Sequence, residues 1–302
     1  MCGATTSQRT TYWKLHGTGG LYFDVTTTHC KFKKRPVYIS SVVGDEAHWA
    51  LQGTHSISKA TKTGFRVVVL HPSMRGDTLL RAANDYHWVV SWIGNVGGNC
   101  GMTKEKGGDW KQTKKGALYM DVNTVNAAFH DTPRYFSTLH GHEKHWRTEG
   151  AHTIYFSKPN GFRVYIIFDE CFGGTCVDKK VTAAMADKYK WTIHWVGTVG
   201  EKAPDASVYC VRDTNGKDAS GQSGLEWKKA TGSAGLYIDV DSSASHFQQR
   251  PTYVTSVGTQ FIHWRVTGAG SVFRPTKDSF RCVSSCLPTR CRRTARVYCA
   301  FF

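Results

Sequence analysis

The chain of 302 residues repeats one pattern three times, and this repeat restricts the fold more than any other feature. In each copy an aspartate precedes a proline by twelve positions, the proline precedes a His-Trp pair by twelve, and the histidine precedes a Phe-Arg pair by seventeen. The anchors are Asp24, Pro36, His48-Trp49 and Phe65, then Asp121, Pro133, His145-Trp146 and Phe162, then Asp239, Pro251, His263-Trp264 and Phe280. The spacing contains no gap and predicts three modules, at 1–97 (copy one), 107–200 (copy two) and 222–302 (copy three).

Within each copy the segments are typical of β-strands. The segment after each proline is short, β-branched and aromatic, and the Gly-Phe segment of the first two copies opens a nearly continuous apolar run. No window shows a helical period, and turn signals recur every eight to twelve residues. We therefore expect an all-β protein of three tandem antiparallel β-sandwich modules of about 100 residues each.

The end of copy three departs from the pattern. It lacks the closing tryptophan pair of the other copies (Trp88 with Trp92, and Trp191 with Trp195) and continues into a cysteine-rich tail. The third module is therefore predicted to be degenerate and incomplete at its C-terminal end. The tail is either a disulfide-tied substitute for the closing strand or the product of a reading-frame or truncation error. Linkers are predicted near 95–108 and 198–224, where glycine and charge accumulate.

The order of these pieces is similar to that of the H-type lectin domain. The matching pieces of copy one are Trp13, Phe32 to Pro36, Gly64-Phe65 and Val90 to Gly94, and those of copy two are Trp110, Phe129 to Pro133, Gly161-Phe162 and His194 to Gly197. The resemblance implies a six-stranded antiparallel sandwich, trimerisation, and binding of N-acetylgalactosamine-type sugars at subunit edges. The three copies would then form either an intrachain pseudo-trimer or beads on a string. One departure is that Gln52, Glu149 and Thr267 stand where the family carries a sugar-contacting arginine.

Two repeated positions are the candidate carbohydrate site. The repeated aspartate either accepts sugar hydroxyls or ties off a turn through backbone donors. In the His-Trp pair, an outward tryptophan would stack on a sugar beside the histidine, whereas an inward tryptophan would be a core anchor. The predicted carbohydrate-binding residues are Asp24, His48, Trp49, Asp121, His145, Trp146, Asp239, His263 and Trp264.

The sequence gives no support for catalysis or for metal binding. Nucleophile, metalloprotease, phosphate-loop and dinucleotide motifs are missing, so we expect no enzyme and no cofactor. A run of His140, His142 and His145 around Glu143 occurs in copy two alone, so we interpret it as a loop rather than a metal site. The repeated tyrosines Tyr38, Tyr135 and Tyr253 are expected in the core, with the hydroxyl bonded at an edge.

The formal net charge is +16, from 39 Lys and Arg against 23 Asp and Glu. This excess attracts polyanions, so the glycan partners expected here include acidic ones. A nucleic-acid partner is not expected, because the basic residues are scattered rather than gathered in a stripe. No apolar run is long enough for a membrane span, and the first ten residues carry no secretory signal. The compartment stays open: extracellular if a signal is missing or export follows another route, cytoplasmic otherwise.

These observations favour a multivalent, non-catalytic, lectin-like protein. The first alternative is a structural or adhesive repeat protein that self-associates and binds no small ligand. The second is a polyanion binder, such as a nucleic-acid binder, driven by charge alone.

Overall fold

The described residues are mostly β-structure, as the sequence predicts. A computed structural model describes residues 1–8, 12–17, 19–105, 109–114, 116–168, 170–172, 175–177, 180–199, 211–212, 219–222, 227–229, 235–258, 271–285 and 296–301. Strands in copy one are β1 (Cys2–Thr5), β2 (Lys14–His16), β3 (Gly20–Thr26), β4 (Val37–Gly44), β5 (Ser56–Ser58), β6 (Gly64–Leu70) and β7 (Val89–Asn95).

The following strands run to the end of copy two. They are β8 (Cys100–Met102), β9 (Lys111–Gln112), β10 (Leu118–Asn123), β11 (Arg134–His140), β12 (Thr148–Glu149), β13 (Thr153–Lys158), β14 (Gly161–Phe168), β15 (Glu170–Phe172), β16 (Thr175–Val177) and β17 (Thr192–Thr198). The remaining strands are β18 (Val211–Arg212), β19 (Ala219–Gln222), β20 (Lys228–Lys229), β21 (Gly235–Asp241), β22 (Tyr253–Gly258), β23 (Ser271–Phe273), β24 (Ser279–Ser285) and β25 (Arg296–Phe301).

Helices are short and were not predicted. The α-helices are α1 (Gly76–Asp85) and α2 (Ala183–Lys188), and the 3₁₀ helices are Thr28–Cys30, His48–Ala50, Val125–Ala127, His145–Arg147 and Ser243–Ser245. Helix α1 buries Leu79, Ala82 and Ala83, which lie on one face at spacings of three and four. One such set is too short to show as a period in the sequence, so the expectation of no helix was wrong for α1 and α2.

Each of the three large sheets in the described part of the chain combines strands from two copies. Their orders are β1-β7-β4-β23-β24-β21-β20, then β2-β3-β6-β5-β11-β17-β8, then β18-β19-β25-β22-β13-β14-β10-β9. Strand β12 also pairs with β14, and β15 pairs with β16. Each copy therefore divides its strands between two sheets.

The copies are joined by three parallel strand pairs. Strand β5 of copy one pairs with β11 of copy two, β13 of copy two with β22 of copy three, and β23 of copy three with β4 of copy one. These pairs connect the copies edge to edge in a closed ring. Beads on a string, the alternative that the sequence left open, is therefore wrong.

The first strand after each repeated proline contributes side chains to two apolar clusters, one on each of its faces. In β4, Tyr38 and Val42 pack inside copy one, between its two sheets. Ile39 points to the opposite face, as successive strand residues must, and joins Phe136 and Val254 of the other copies in a shared cluster. This shared cluster lies where the three copies meet and holds the ring together.

The repeated tyrosines lie in the core, as expected. Tyr38, Tyr135 and Tyr253 are at most 1 % exposed. The Tyr135 hydroxyl lies 2.8 Å from Thr124 Oγ1 and donates to the carbonyl oxygen of Lys158 at 2.9 Å. Equivalent hydroxyl networks occur at Tyr38 and Tyr253.

Copy three differs from the sequence expectation at its end. Strand β25, within the cysteine-rich tail, pairs antiparallel with β22, as β7 pairs with β4 and β17 with β11. The tail therefore supplies a strand at the place of the closing strand, which is one of the two alternatives that the sequence left open for it, because backbone pairing needs extended conformation and not the tryptophan pair. Strands β8, β18 and β19 likewise lie in segments predicted as linkers.

Candidate functional site

The repeated aspartates are held by arginines of the neighbouring strand. Asp24 lies opposite Arg66 in the β3–β6 pair and accepts from its Nε at 2.6 Å and its Nη2 at 2.7 Å. The Arg66 guanidinium also lies 3.9 Å from the centre of the Tyr22 ring. This hydrogen-bonded contact with Arg66 lowers the pKa of the Asp24 carboxyl.

The other two aspartates make the same contact. Asp121 accepts from Arg163, and Asp239 accepts from Arg281, each through both carboxylate oxygens. All three lie within strands rather than at turns. Their oxygens are thus already occupied by cations, an arrangement that neither interpretation of the sequence contained.

The His-Trp pairs of copies one and two lie in 3₁₀ helices and not on strands, so the alternation argument does not apply to them. His48 and His145 are fully buried, whereas Trp49 and Trp146 are partly exposed. The histidine is therefore the inward residue. His263 and Trp264 lie outside the described residues.

Each buried histidine connects its own copy to the next. His145 Nε2 donates to the carbonyl oxygen of Ile57 at 3.1 Å, and Ser56 Oγ donates back to the His145 carbonyl at 3.0 Å. His48 makes the matching contact with the carbonyl oxygen of Val272 at 3.0 Å. Burial lowers the pKa of both histidines to about 4, so both are neutral at pH 7. These rings hold adjacent copies together.

A cleft of about 580 Å³ opens where copy two meets copy one. The partly exposed ring of Trp146 lines it, and the His16 ring meets Trp146 edge to face at 4.9 Å. Arg66, Lys59 and Ser58 of copy one also line it. Of the predicted site residues, Trp146 alone is among those that line this cleft.

Small side chains in copy one leave this space open. Ser58 occupies the position that Tyr155 and Phe273 fill in the other copies, five residues after the repeated glycine of each turn. At the junction of copies three and one, Phe273 packs against Trp49 with ring centres 5.9 Å apart. Ser58 lacks such a ring, so Trp146 keeps an open face.

The cleft also contains a pair of stacked histidines. The rings of His140 and His194 are 3.4 Å apart and nearly parallel, at 8°. Burial lowers the pKa of both, to about 3 for His194. Neutral imidazoles stack without repulsion, so this wall of the cleft is uncharged at pH 7.

The histidine run of copy two does not converge on one point. His140 stacks on His194 and His145 bonds Ile57, whereas His142 and Glu143 are exposed. Among the described residues, the metal-ligating types gather within reach of one another at Cys2, His29 and Cys30. Cys2 and Cys30 form a disulfide, which occupies both sulfur atoms.

Comparisons with protein-family models, with curated proteins and with solved structures found no match. Within the described part of the chain, every helix is too short or too polar to cross a membrane.

Sequence reasoning missed His16, Ser58 and Arg66 as members of the cleft. The sequence prediction was based on features shared by all three copies, whereas the cleft depends on a position at which the copies differ. The signal was available at Ser58, because a small residue replaces an aromatic one in an otherwise regular repeat.

Proposed function

We propose that this chain is a non-catalytic carbohydrate-binding protein built from three β-sandwich modules. A sugar enters the cleft between copies one and two and stacks on Trp146. The observation that carries the proposal is the partly exposed Trp146 ring beside hydrogen-bond donors in an open cleft. Aromatic faces suit sugars, because the C–H face of a pyranose is apolar while its hydroxyls need polar partners.

The proposed contacts differ from those expected from the sequence. Trp146 provides the stacking surface, and His16, Ser58 and Arg66 provide polar groups around it. His145 positions Trp146 through its bond to Ile57 and does not touch the sugar. Asp24 acts behind the site by holding Arg66.

The copies contribute unequally to binding in this proposal. Trp49 packs against Phe273 at the junction of copies three and one, and no serine opens that face. The Trp146 cleft is therefore the primary site, and multivalency would require assembly of several chains or weaker sites elsewhere.

A glycan array followed by calorimetry with the best glycan tests the proposal. Trp146→Ala and Ser58→Phe are expected to weaken binding at least about tenfold, since each removes or fills the stacking space. Trp49→Ala is the matched control, because it removes the equivalent tryptophan at the junction of copies three and one. This variant should bind the glycan like the parent protein. Circular dichroism establishes that each variant is folded.

Two results would contradict the proposal. Equal loss of binding in Trp49→Ala and Trp146→Ala would show that the weaker binding comes from reduced stability of the fold and not from a missing stacking surface. The absence of any glycan signal from the folded parent would instead favour the structural, self-associating alternative.

A further inference from the structure

The side chains that line the Trp146 cleft have an excess of positive charge. The charged residues are Arg35, Lys59, Arg66, Lys190, Glu105 and Glu143. Lys190 lies 4.0 Å from the Glu105 carboxylate, so these two largely offset each other. Asp24 pairs with Arg66, and Glu143 offsets one further charge, so Arg35, Lys59 and Arg66 leave one net positive charge among these groups.

The guanidinium of Arg35 has a neutral partner. Its Nη2 donates to the thioether sulfur of Met102 at 3.4 Å. A thioether is a weak, uncharged acceptor, so this contact leaves the positive charge in place. The charge of Arg35 also contributes, after burial, to the lowered pKa of His194 on the cleft wall.

Arg66 keeps a hydrogen-bond donor that its counterpart in copy two has already used. Arg163 donates through Nη1 to the Tyr165 hydroxyl at 3.3 Å, in addition to its two bonds with Asp121. Val68 replaces this tyrosine in copy one. Arg66 is thus oriented by Asp24 and Tyr22, while Nη1 has no such hydroxyl to bind.

The cations lie close to the stacking surface. His16 contacts Trp146 edge to face. Burial lowers the pKa of His16, and the charges of Arg66, Arg147 and Lys59 lower it further, which locates a positive field beside this ring. An anion next to Trp146 would therefore enter the positive field of Arg66, Arg147 and Lys59.

We infer that the ligand of this cleft is an anionic saccharide whose sulfate or carboxylate group binds Arg35, Lys59 and Arg66 while its ring stacks on Trp146. The inference rests on the proposed function and adds the chemical class of the ligand. Arg35 suits both groups, since a guanidinium has a planar fork of N–H donors that matches their paired oxygens, and Arg66 adds its Nη1.

Binding of the full chain to four immobilised probes tests this inference, at a salt concentration of about 0.15 M. The probes are a chondroitin sulfate hexasaccharide, its desulfated form, a neutral chitin hexasaccharide and a short DNA duplex. The first carries sulfate and carboxylate, the second carboxylate alone. We expect at least one anionic saccharide to bind about tenfold or more tightly than the neutral one.

The variant Arg35→Gln/Lys59→Gln should remove this preference, so that the anionic and neutral saccharides bind with similar affinity. The matched control is Lys34→Gln/Lys62→Gln, which removes two charges from exposed neighbours outside the cleft and should keep the preference.

Each other outcome has a separate meaning. Equal affinity for the charged and neutral saccharides would overturn the inference and leave the proposed function intact, as would an anionic preference that survives in the cleft variant. Binding of no saccharide would overturn both. Binding of DNA alone would replace both with a nucleic-acid partner.

Discussion

Acidification from pH 7 to pH 5 should destabilise this fold strongly, because its interior contains neutral histidines. Burial lowers the pKa of His48 and His145 to about 4, and that of His152 and His194 to about 3. In the unfolded chain a histidine titrates near 6.5. The unfolded chain therefore binds more protons than the folded one between pH 6.5 and pH 4. Stability is full above this window and falls as the pH falls through it.

The size of the effect follows from these values. A pH of 5 lies about 1.5 units below the pKa of a histidine in the unfolded chain, and each unit corresponds to about 1.4 kcal/mol of free energy. Each buried histidine thus costs about 2 kcal/mol between pH 7 and pH 5. Four of them cost about 8 kcal/mol, which is comparable to the whole stability of an ordinary domain.

Guanidinium unfolding followed by tryptophan fluorescence at pH 7, 6 and 5 measures this loss. His48→Asn should lose about 2 kcal/mol less than the parent over this range, whatever its stability at pH 7. His130→Asn is the control, because His130 is exposed and its removal should leave the loss unchanged. Equal stability at pH 7 and pH 5, or a His48→Asn variant as acid-sensitive as the parent, would refute the reasoning.

Two further predictions concern the stability of the fold. Tyr135→Phe should lower the free energy of unfolding by about 1–2 kcal/mol, because Thr124 and the Lys158 carbonyl lose a buried partner; Tyr12→Phe, at a residue that is 69 % exposed, should change nothing in the same denaturation assay. Cys2→Ser/Cys30→Ser should lower the free energy of unfolding by about 3–4 kcal/mol, because the disulfide links two cysteines that are 28 positions apart in the sequence. Unchanged thermal unfolding in that variant would show that the N-terminal strand is held without the bond.

Local patterns in the sequence predicted much of the strand framework correctly. The runs after the three prolines became strands β4, β11 and β22, and the Gly-Phe runs became β6 and β14. The repeated tyrosine became a core residue with a bonded hydroxyl. These features depend on neighbours a few residues apart, so alternation, turns and burial preferences are enough to recognise them.

The orientation of the His-Trp pair could not be obtained in this way. Strand geometry would place the two residues on opposite faces, but the pair lies in a 3₁₀ helix. The inward position of His145 depends on a carbonyl of Ile57, which is 88 residues away in the sequence. A contact at that distance leaves no local signal.

The repeat in the sequence was sufficient to predict a mostly β protein, because alternation and turn signals recur at the same spacing in each copy. The ring and the Trp146 cleft required the folded chain, since both arise where strands from different copies meet. Similar copies fold alike, but the few positions at which they differ, such as Ser58, acquire a role through the partner surface that they face.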